Sequence, residues 1–311
     1  MQTKAMPPSA SLPRLKLFLA LSRTPHALLD LAAPAVAALL WLGTFPSPGV
    51  TILGLITVFA GYTAMYALND VVDYRVDQEK VSQGGARDEG YLDAIFVRHP
   101  LAQGLLTFPE AVWWLLAWAV VALFGAYLLN PVCALILLVG AALEALYCRM
   151  LRLTHWRTLV SGVVKTLGGL AAVLAVDPEA SPLFLATLFL WLFFWEIGGQ
   201  NIPADWHDLE EDRKRQARTV PVVLGPEFAS RLILATLVIS VVLSLAVLAL
   251  APARLSLSFE GLALAAGIFL LVWPALRLYH SQVRANASRI FNRASYYPAA
   301  MLAIVLISFW Y

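Results

Sequence analysis

Long apolar runs separated by short polar connections dominate the pattern along this chain. Each run approaches twenty residues, which is the length that an α-helix needs to cross about 30 Å of hydrocarbon. Pro, Gly and Asn mark the tight turns between runs, as at Asn130 and Pro131. The pattern predicts an all-α, polytopic membrane bundle of about nine transmembrane helices, over residues 27–45, 50–69, 110–129, 131–149, 157–176, 181–200, 228–250, 258–278 and 292–311.

Composition supports a bilayer as the solvent of this chain. Of the 311 residues, 60% are hydrophobic and 14% are charged, and the mean hydropathy is +0.74. One soluble core cannot bury such a surface. The net charge of +2 comes without a basic patch, so no nucleic-acid partner is predicted. Residues 1–26 are predicted to form an N-terminal arm that contains an interfacial amphipathic helix.

The distribution of Lys and Arg predicts the orientation. Nearly all of the 22 basic residues fall in the N-terminal arm and in connections on the same side of the membrane. Positively charged connections stay cytoplasmic, so we expect a cytoplasmic N-terminus in the plasma membrane and an outside C-terminus. The two long polar connections, residues 70–109 and 201–227, both lie on the predicted cytoplasmic side. Function should be sought there.

Both long connections open with carboxylates at helical spacing. Acidic side chains three, four or seven positions apart share one face of a helix, where they repel each other unless a cation is present. A solvated helix face is an alternative for either stripe alone, whereas two stripes at one membrane face favour a shared site. The two stripes are Asn69, Asp70, Asp73 and Asp77, and Asn201, Asp205, Asp208 and Asp212.

Clustered carboxylates of this kind suit magnesium and phosphate chemistry. Mg²⁺ typically takes one or two protein carboxylates and completes its shell with phosphate oxygens and water. Opposing stripes could therefore hold a diphosphate between metal ions. A basic run follows the second stripe, at Arg213, Lys214, Arg215 and Arg218.

These motifs resemble those of the UbiA superfamily of intramembrane prenyltransferases. The matching segments are N-D-x-x-D-x-x-x-D from Asn69 to Asp77 and D-x-x-D-x-x-x-D from Asp205 to Asp212. The segment from Arg98 to Gly104 is similar to the R-x-P-L-x-x-G of the family. The resemblance covers nearly the whole chain and implies a single domain over residues 1–311. It also implies a central chamber, open to lipid and capped by the two cytoplasmic loops.

The resemblance also implies roles for particular residues. All six aspartates of the two stripes would be catalytic, and Mg²⁺ would be held by Asp70, Asp73, Asp205 and Asp208. Family members carry a tyrosine followed closely by a basic residue after the fourth span. Contacts to the diphosphate are therefore expected from Asn69, Asn201, Arg98, Tyr147, Arg149, Arg152 and Lys214.

The activity implied is transfer of an isoprenyl group from an allylic isoprenyl diphosphate to a lipophilic acceptor within the membrane. In this superfamily the acceptor is most often aromatic, as in quinone biosynthesis. A terpene cyclase of the same superfamily is an alternative. A cation-coupled transporter is disfavoured, because a transporter places its charges nearer the midplane.

Some features of the sequence carry no assigned role. Glu144, Lys165 and Glu196 lie inside predicted spans and are functional candidates, although a structural ion pair or snorkelling is equally compatible. Asp30 lies near the cytoplasmic end of the first span, where snorkelling is expected to suffice. The long stretch 81–97 is either a lid or a tolerated insertion.

Overall fold

The computed structural model describes residues 13–82 and 91–310, and these fold into helices joined by short turns, with no β-strand among them. Within these ranges, nine helices are long and apolar enough to cross a membrane. The predicted all-α bundle of about nine spans is confirmed. We label the spans α1 to α9 in chain order: Thr24–Leu42, Pro48–Val72, Phe108–Leu129, Pro131–Arg152, Arg157–Val176, Pro182–His207, Gly225–Leu250, Leu257–Ser281 and Arg284–Ser308.

The span ends that carry the two aspartate motifs extend further than the hydropathy pattern predicts. Helix α6 continues to His207 and α2 to Val72. Asn201, Asp205 and Asp70 therefore lie in the last turns of spans, not in loops that begin at residues 201 and 70. Hydropathy detects only the apolar part of a helix, whereas the backbone hydrogen bonds of both helices continue through the polar residues beyond it.

The N-terminal arm packs on the cap that carries the two aspartate motifs. Its predicted helix runs over Arg14–Leu21, and the ring of Phe18 stacks on that of Trp114 with centroids 4.9 Å apart. Leu17 and Leu21 are buried against the segment that follows the first motif. The arm is shorter than residues 1–26, because α1 begins at Thr24.

Short helices complete the cap, over Tyr74–Ser82, Leu92–Ala94, Leu209–Lys214 and Val220–Val223. The Tyr91 ring stacks between those of His207 and Phe291, at centroid distances of 4.4 and 4.6 Å. The backbone N–H of Leu92 donates to Oδ1 of Asn292 at 3.1 Å. In the stretch predicted as lid or insertion, residues 83–90 lie outside the described residues, and the part from Tyr91 onward is fixed to α6 and α9.

A π turn over Glu196–Asn201 interrupts α6. A Cβ at Gly198 would lie 2.3 Å from Oγ1 of Thr236 on α7, and one at Gly199 would lie 2.8 Å from Cβ of Ala294 on α9. The two glycines therefore let this turn approach both neighbouring helices closely. Positions five apart in an α-helix point about 140° away from each other, whereas the i to i+5 bonding of a π turn brings them toward one face. Glu196 and Asn201 consequently line the same chamber.

Candidate active site

A deep chamber opens between the helices on the side of α1, α2, α4, α5 and α6. Its volume is about 560 Å³, and its lining runs from Asn69 and Asn201 at the end that carries the two motifs to Phe45 and Val50 at the opposite, outer end. Between Val50 and Asn69 the axis of α2 rises about 28 Å, nearly the thickness of the hydrocarbon core. The chamber therefore has a polar mouth and a long, mainly apolar interior.

The two aspartate motifs meet at this mouth through a shared ion-pair group. Nζ of Lys80, on the helix that carries Asp77, donates to Oδ2 of Asp208 at 2.7 Å. The Arg98 guanidinium donates to both oxygens of Asp208, at 3.1 and 2.7 Å. Burial alone would raise the pKa of Asp208, but the charges and hydrogen bonds of Arg98 and Lys80 hold that pKa well below its usual range.

His99 lies between two carboxylates of the first motif. Its Nδ1 is 2.9 Å from Oδ2 of Asp77 and 3.5 Å from Oδ1 of Asp70. Burial lowers the pKa of His99, yet the charges of Asp77 and Asp70 outweigh it and raise that pKa overall. One ligand atom from each of the three residues falls within 4.8 Å of the others, a spacing that can hold a metal ion.

Arg157 faces both motifs from the start of α5. Its Nη1 lies 3.7 Å from Oδ1 of Asp205, its guanidinium stacks 4.0 Å from the centroid of Tyr147, and Asp73 and Asp212 are within its electrostatic reach. Burial, with repulsion from Asp77, raises the pKa of Asp73 to about 6. Burial therefore disfavours the charged form of the Asp73 carboxyl, and a bound cation would stabilise that form.

Two buried oxygens at the mouth are suited to a cation. Oδ2 of Asp205 and Oδ1 of Asn201 have no hydrogen-bond partner among the described residues. The amide of Asn201 donates to the Tyr147 hydroxyl at 2.9 Å, which fixes the orientation of that side chain. Carboxylate and amide oxygens are the ligands that hard divalent cations prefer, so this set of residues fits a Mg²⁺ ion.

The structure brings most of the predicted site residues together. Asn69 accepts from Arg23 at 3.0 Å and donates to Glu144 at 2.8 Å, and Asp212 pairs with Arg215 at 2.6 Å. The predicted site residues that these contacts bring together are Asn69, Asp70, Asp73, Asp77, Arg98, Tyr147, Asn201, Asp205, Asp208 and Asp212. Three of them, Asn69, Tyr147 and Asn201, line the chamber itself.

Three predicted basic residues are not brought into the site. Arg149 and Lys214 are exposed, and Arg152 pairs with Glu79 where both side chains are nearly half exposed. Arg157 and Arg215 contact Asp205 and Asp212 instead, and Arg215 belongs to the basic run noted in the sequence. The functional candidates that the sequence analysis missed are Arg23, Lys80, His99 and Arg157, and nothing in the local pattern separates them from surface cations.

Comparison with known proteins decides the family. The family model described as UbiA prenyltransferase family matches residues 31–305. The chain belongs to the UbiA prenyltransferase family. The family and the enzyme class predicted from the two aspartate motifs are thereby confirmed, and the chain is a UbiA membrane prenyltransferase.

Archaeal UbiA proteins are similar over nearly the whole chain. Digeranylgeranylglyceryl phosphate synthase from Thermococcus sibiricus is 25% identical over 276 residues, which cover 89% of this chain and 91% of the relative. A UbiA homologue from Aeropyrum pernix K1 superposes with a TM-score of 0.71 at 21% identity, covering 91% of this chain and 97% of its own. A UbiA homologue from Archaeoglobus fulgidus, bound to DMAPP and Mg²⁺, gives a TM-score of 0.65 at 19% identity, with coverages of 93% and 99%. The two solved structures share the fold of this chain.

Proposed function

We propose that this UbiA protein transfers an isoprenyl group from an allylic isoprenyl diphosphate to a lipophilic acceptor, in a Mg²⁺-dependent reaction that releases diphosphate. One observation carries the proposal: two carboxylate motifs are joined through the contact of Lys80 with Asp208, and their Asn69 and Asn201 line the polar end of a deep apolar chamber. The polar mouth suits a diphosphate, and the apolar interior suits a hydrocarbon chain.

Mg²⁺ would be held by Asp70, Asp73, Asp205 and Asp208. The binding of DMAPP with Mg²⁺ by the Archaeoglobus fulgidus homologue supports this assignment, as does the unpartnered Oδ2 of Asp205. The ion supplies charge stabilisation for the departing diphosphate. Asp70 and Asp208 contact Arg23 and Arg98, and these guanidinium groups are available to phosphate oxygens as well.

The remaining residues divide between the diphosphate and the hydrocarbon. Arg98, Arg157 and Lys80 would bind the diphosphate, and Tyr147 orients Arg157 through their stacked contact. Tyr62 and Tyr66 line the chamber below the mouth, where a desolvated aromatic face stabilises a nearby cation by about 2 kcal/mol. The isoprenyl chain would extend toward the apolar outer end, and the closed interior would keep water from the allylic cation.

Product analysis tests the proposal against the cyclase and the transporter. Purified protein would be incubated with Mg²⁺ and allylic diphosphates of increasing length, with and without aromatic and glycerol-phosphate acceptors, and the lipids and diphosphate measured by mass spectrometry. We expect an acceptor adduct with one diphosphate released per adduct. A cyclised hydrocarbon formed equally well without acceptor would indicate a cyclase, and failure to consume any allylic diphosphate would exclude both enzymes.

The orientation proposed is a cytoplasmic N-terminus in the plasma membrane. Its support is the position of the basic residues, which the nine-span topology places mostly at one end of the bundle. A cysteine introduced at exposed Ser82 should resist a membrane-impermeant thiol reagent in intact cells, whereas one at exposed Gly49 should be labelled. The native Cys133 and Cys148 are buried and should contribute little background. Labelling of Ser82→Cys alone would reverse the orientation.

A further inference from the structure

A group of polar side chains lies inside the chamber, below the mouth. Nζ of Lys165 on α5 donates to Oδ2 of Asp30 on α1 at 2.6 Å, and the Tyr66 hydroxyl donates to the same oxygen at 2.6 Å. The ammonium of Lys165 also lies 5.7 Å from the centroid of the Tyr62 ring. Oδ2 of Asp30 therefore accepts two hydrogen bonds, one of them from a cation.

Glu196 differs from Asp30 in its hydrogen bonding. It is 7% exposed and lines the chamber from the π turn of α6. Its Oε1 accepts from the Ser161 hydroxyl at 2.7 Å, while its Oε2 has no hydrogen-bond partner in the part of the chain that the structure describes. A buried carboxylate oxygen without a donor carries a desolvation cost, which a ligand that brings a hydrogen-bond donor would relieve.

The charges around the chamber determine which donor fits. Lys165 is neutralised by Asp30, and Arg23 lies within ion-pair distance of Asp70 and Asp93. Among the described residues, Glu196 makes no ion pair with a cation within 4 Å. An acceptor that carried a carboxylate or a phosphate to this position would meet a like charge and no unpaired cation, whereas a hydroxyl group would complete the carboxylate's hydrogen bonding.

We infer that Glu196 binds the acceptor through its hydroxyl group and receives its proton, and that the acceptor is uncharged at this position. The inference rests on the proposed prenyl transfer. Glu196 precedes Asp205 on α6 by about 13 Å of helix rise, so it lies below the diphosphate site, at the depth of the isoprenyl group. A neutral phenol or hydroquinone has the required donor and fits an apolar chamber lined by aromatic rings.

Transfer to such an acceptor breaks one bond, forms one bond and releases one proton. The bond between C1 of the isoprenyl group and the bridging oxygen breaks, and its electron pair leaves with the diphosphate. The acceptor hydroxyl proton passes to Oε2 of Glu196, and an electron pair of the resulting phenoxide forms the new bond to C1, at oxygen or at a ring carbon. After attack at carbon, the ring proton at that position moves to the oxygen, so one proton is released in either case.

The first test needs only the wild-type protein and a matched pair of acceptors. Hydroquinone and 4-hydroxybenzoate both carry a phenolic hydroxyl, and the second adds a carboxylate. We expect kcat/KM for hydroquinone to exceed that for 4-hydroxybenzoate by more than about tenfold, because the para carboxylate would lie within one ring length of Glu196, in a chamber where Lys165 and Arg23 are already paired with carboxylates. Equal use of the two, or a preference for the carboxylate, would overturn the inference while leaving prenyl transfer established.

The second test uses Glu196→Gln, which keeps the size of the side chain and the hydrogen bond from Ser161. Transfer to hydroquinone should fall by about 100-fold, the lower end of the range for loss of a general base. Mg²⁺-dependent binding of a non-reactive allylic thiolodiphosphate, followed by thermal shift, should remain at the wild-type level. The exposed Glu227→Gln provides the control and should change neither quantity.

The outcomes separate the two proposals. If Glu196→Gln binds the donor analogue and transfers to hydroquinone at the wild-type rate, Glu196 has no role toward the acceptor and only the present inference fails. If the wild-type protein shows no Mg²⁺-dependent binding of the donor analogue, the proposed prenyl transfer itself fails.

Discussion

Asp73→Asn and Asp208→Asn are each expected to lower Mg²⁺-dependent release of diphosphate by about 100-fold or more, because each removes a charge from the preorganised mouth of the chamber. Burial and the neighbouring charge of Asp77 raise the pKa of Asp73 to about 6, as expected for a carboxylate that binds a cation. Asp208 fixes Lys80 and Arg98 at the meeting point of the two motifs. Asn keeps the size of each side chain, so no packing void is created.

The two variants should differ in stability without metal. Asp73→Asn relieves carboxylate repulsion and should leave the melting temperature unchanged or slightly higher. Asp208→Asn leaves the buried ammonium of Lys80 without its carboxylate and should lower the melting temperature. Activity is therefore compared at a temperature where both variants remain folded and monodisperse.

Glu210→Gln is the matched control for the second motif. Its side chain is 63% exposed and pairs with Arg213 only at the surface, where an ion pair contributes little. This variant should retain most of the wild-type turnover. If Asp73→Asn and Asp208→Asn also turn over at wild-type rates with unchanged Mg²⁺ dependence, the stripes are solvated helix faces and the metal and diphosphate assignment is wrong.

Lys165→Met is expected to destabilise the protein by about 3–5 kcal/mol, the cost of leaving one partner of a buried ion pair uncompensated. Asp30 is 2% exposed and would retain its charge with only the Tyr66 hydroxyl at hydrogen-bonding distance and His26 at 3.7 Å. The measurement is the thermal unfolding midpoint in detergent. The double variant Asp30→Asn, Lys165→Met removes both charges and should recover most of the loss.

An exposed pair provides the control for this stability cycle. Arg231 and Glu227 form an ion pair whose side chains are 61% and 68% exposed, so Arg231→Met should cost less than about 1 kcal/mol. A double variant no more stable than Lys165→Met would show that the loss comes from altered packing of α5 and not from the unpaired charge of Asp30.

The sequence by itself determined the number of spans, because a bilayer requires about twenty apolar residues for each crossing and no other solvent tolerates so many such runs. It also determined the two aspartate motifs, since carboxylates at spacings of three and four lie close together along a helical backbone, although the structure ends a helix inside each motif, at Asp73 and at Asp208. The family followed from these motifs, and the matched family model agrees with it.

Only the tertiary structure decided which cations join those stripes. Lys80 and Asp208 are far apart in the chain, as are Asp30 and Lys165, and contacts between distant elements leave no local signal in the hydropathy pattern. Arg157, not Arg149, reaches the site, because Arg157 is buried in the first turn of α5 whereas Arg149 is exposed near the end of α4. The snorkelling expected for Asp30 is wrong, since burial within the bundle leaves its carboxylate no path to water and Lys165 neutralises it instead. Glu196 faces the chamber with Asn201 because a π turn, fixed by the close packing of Gly198 and Gly199, shifts the phase of α6 by a fraction of a turn that α-helical periodicity does not reveal.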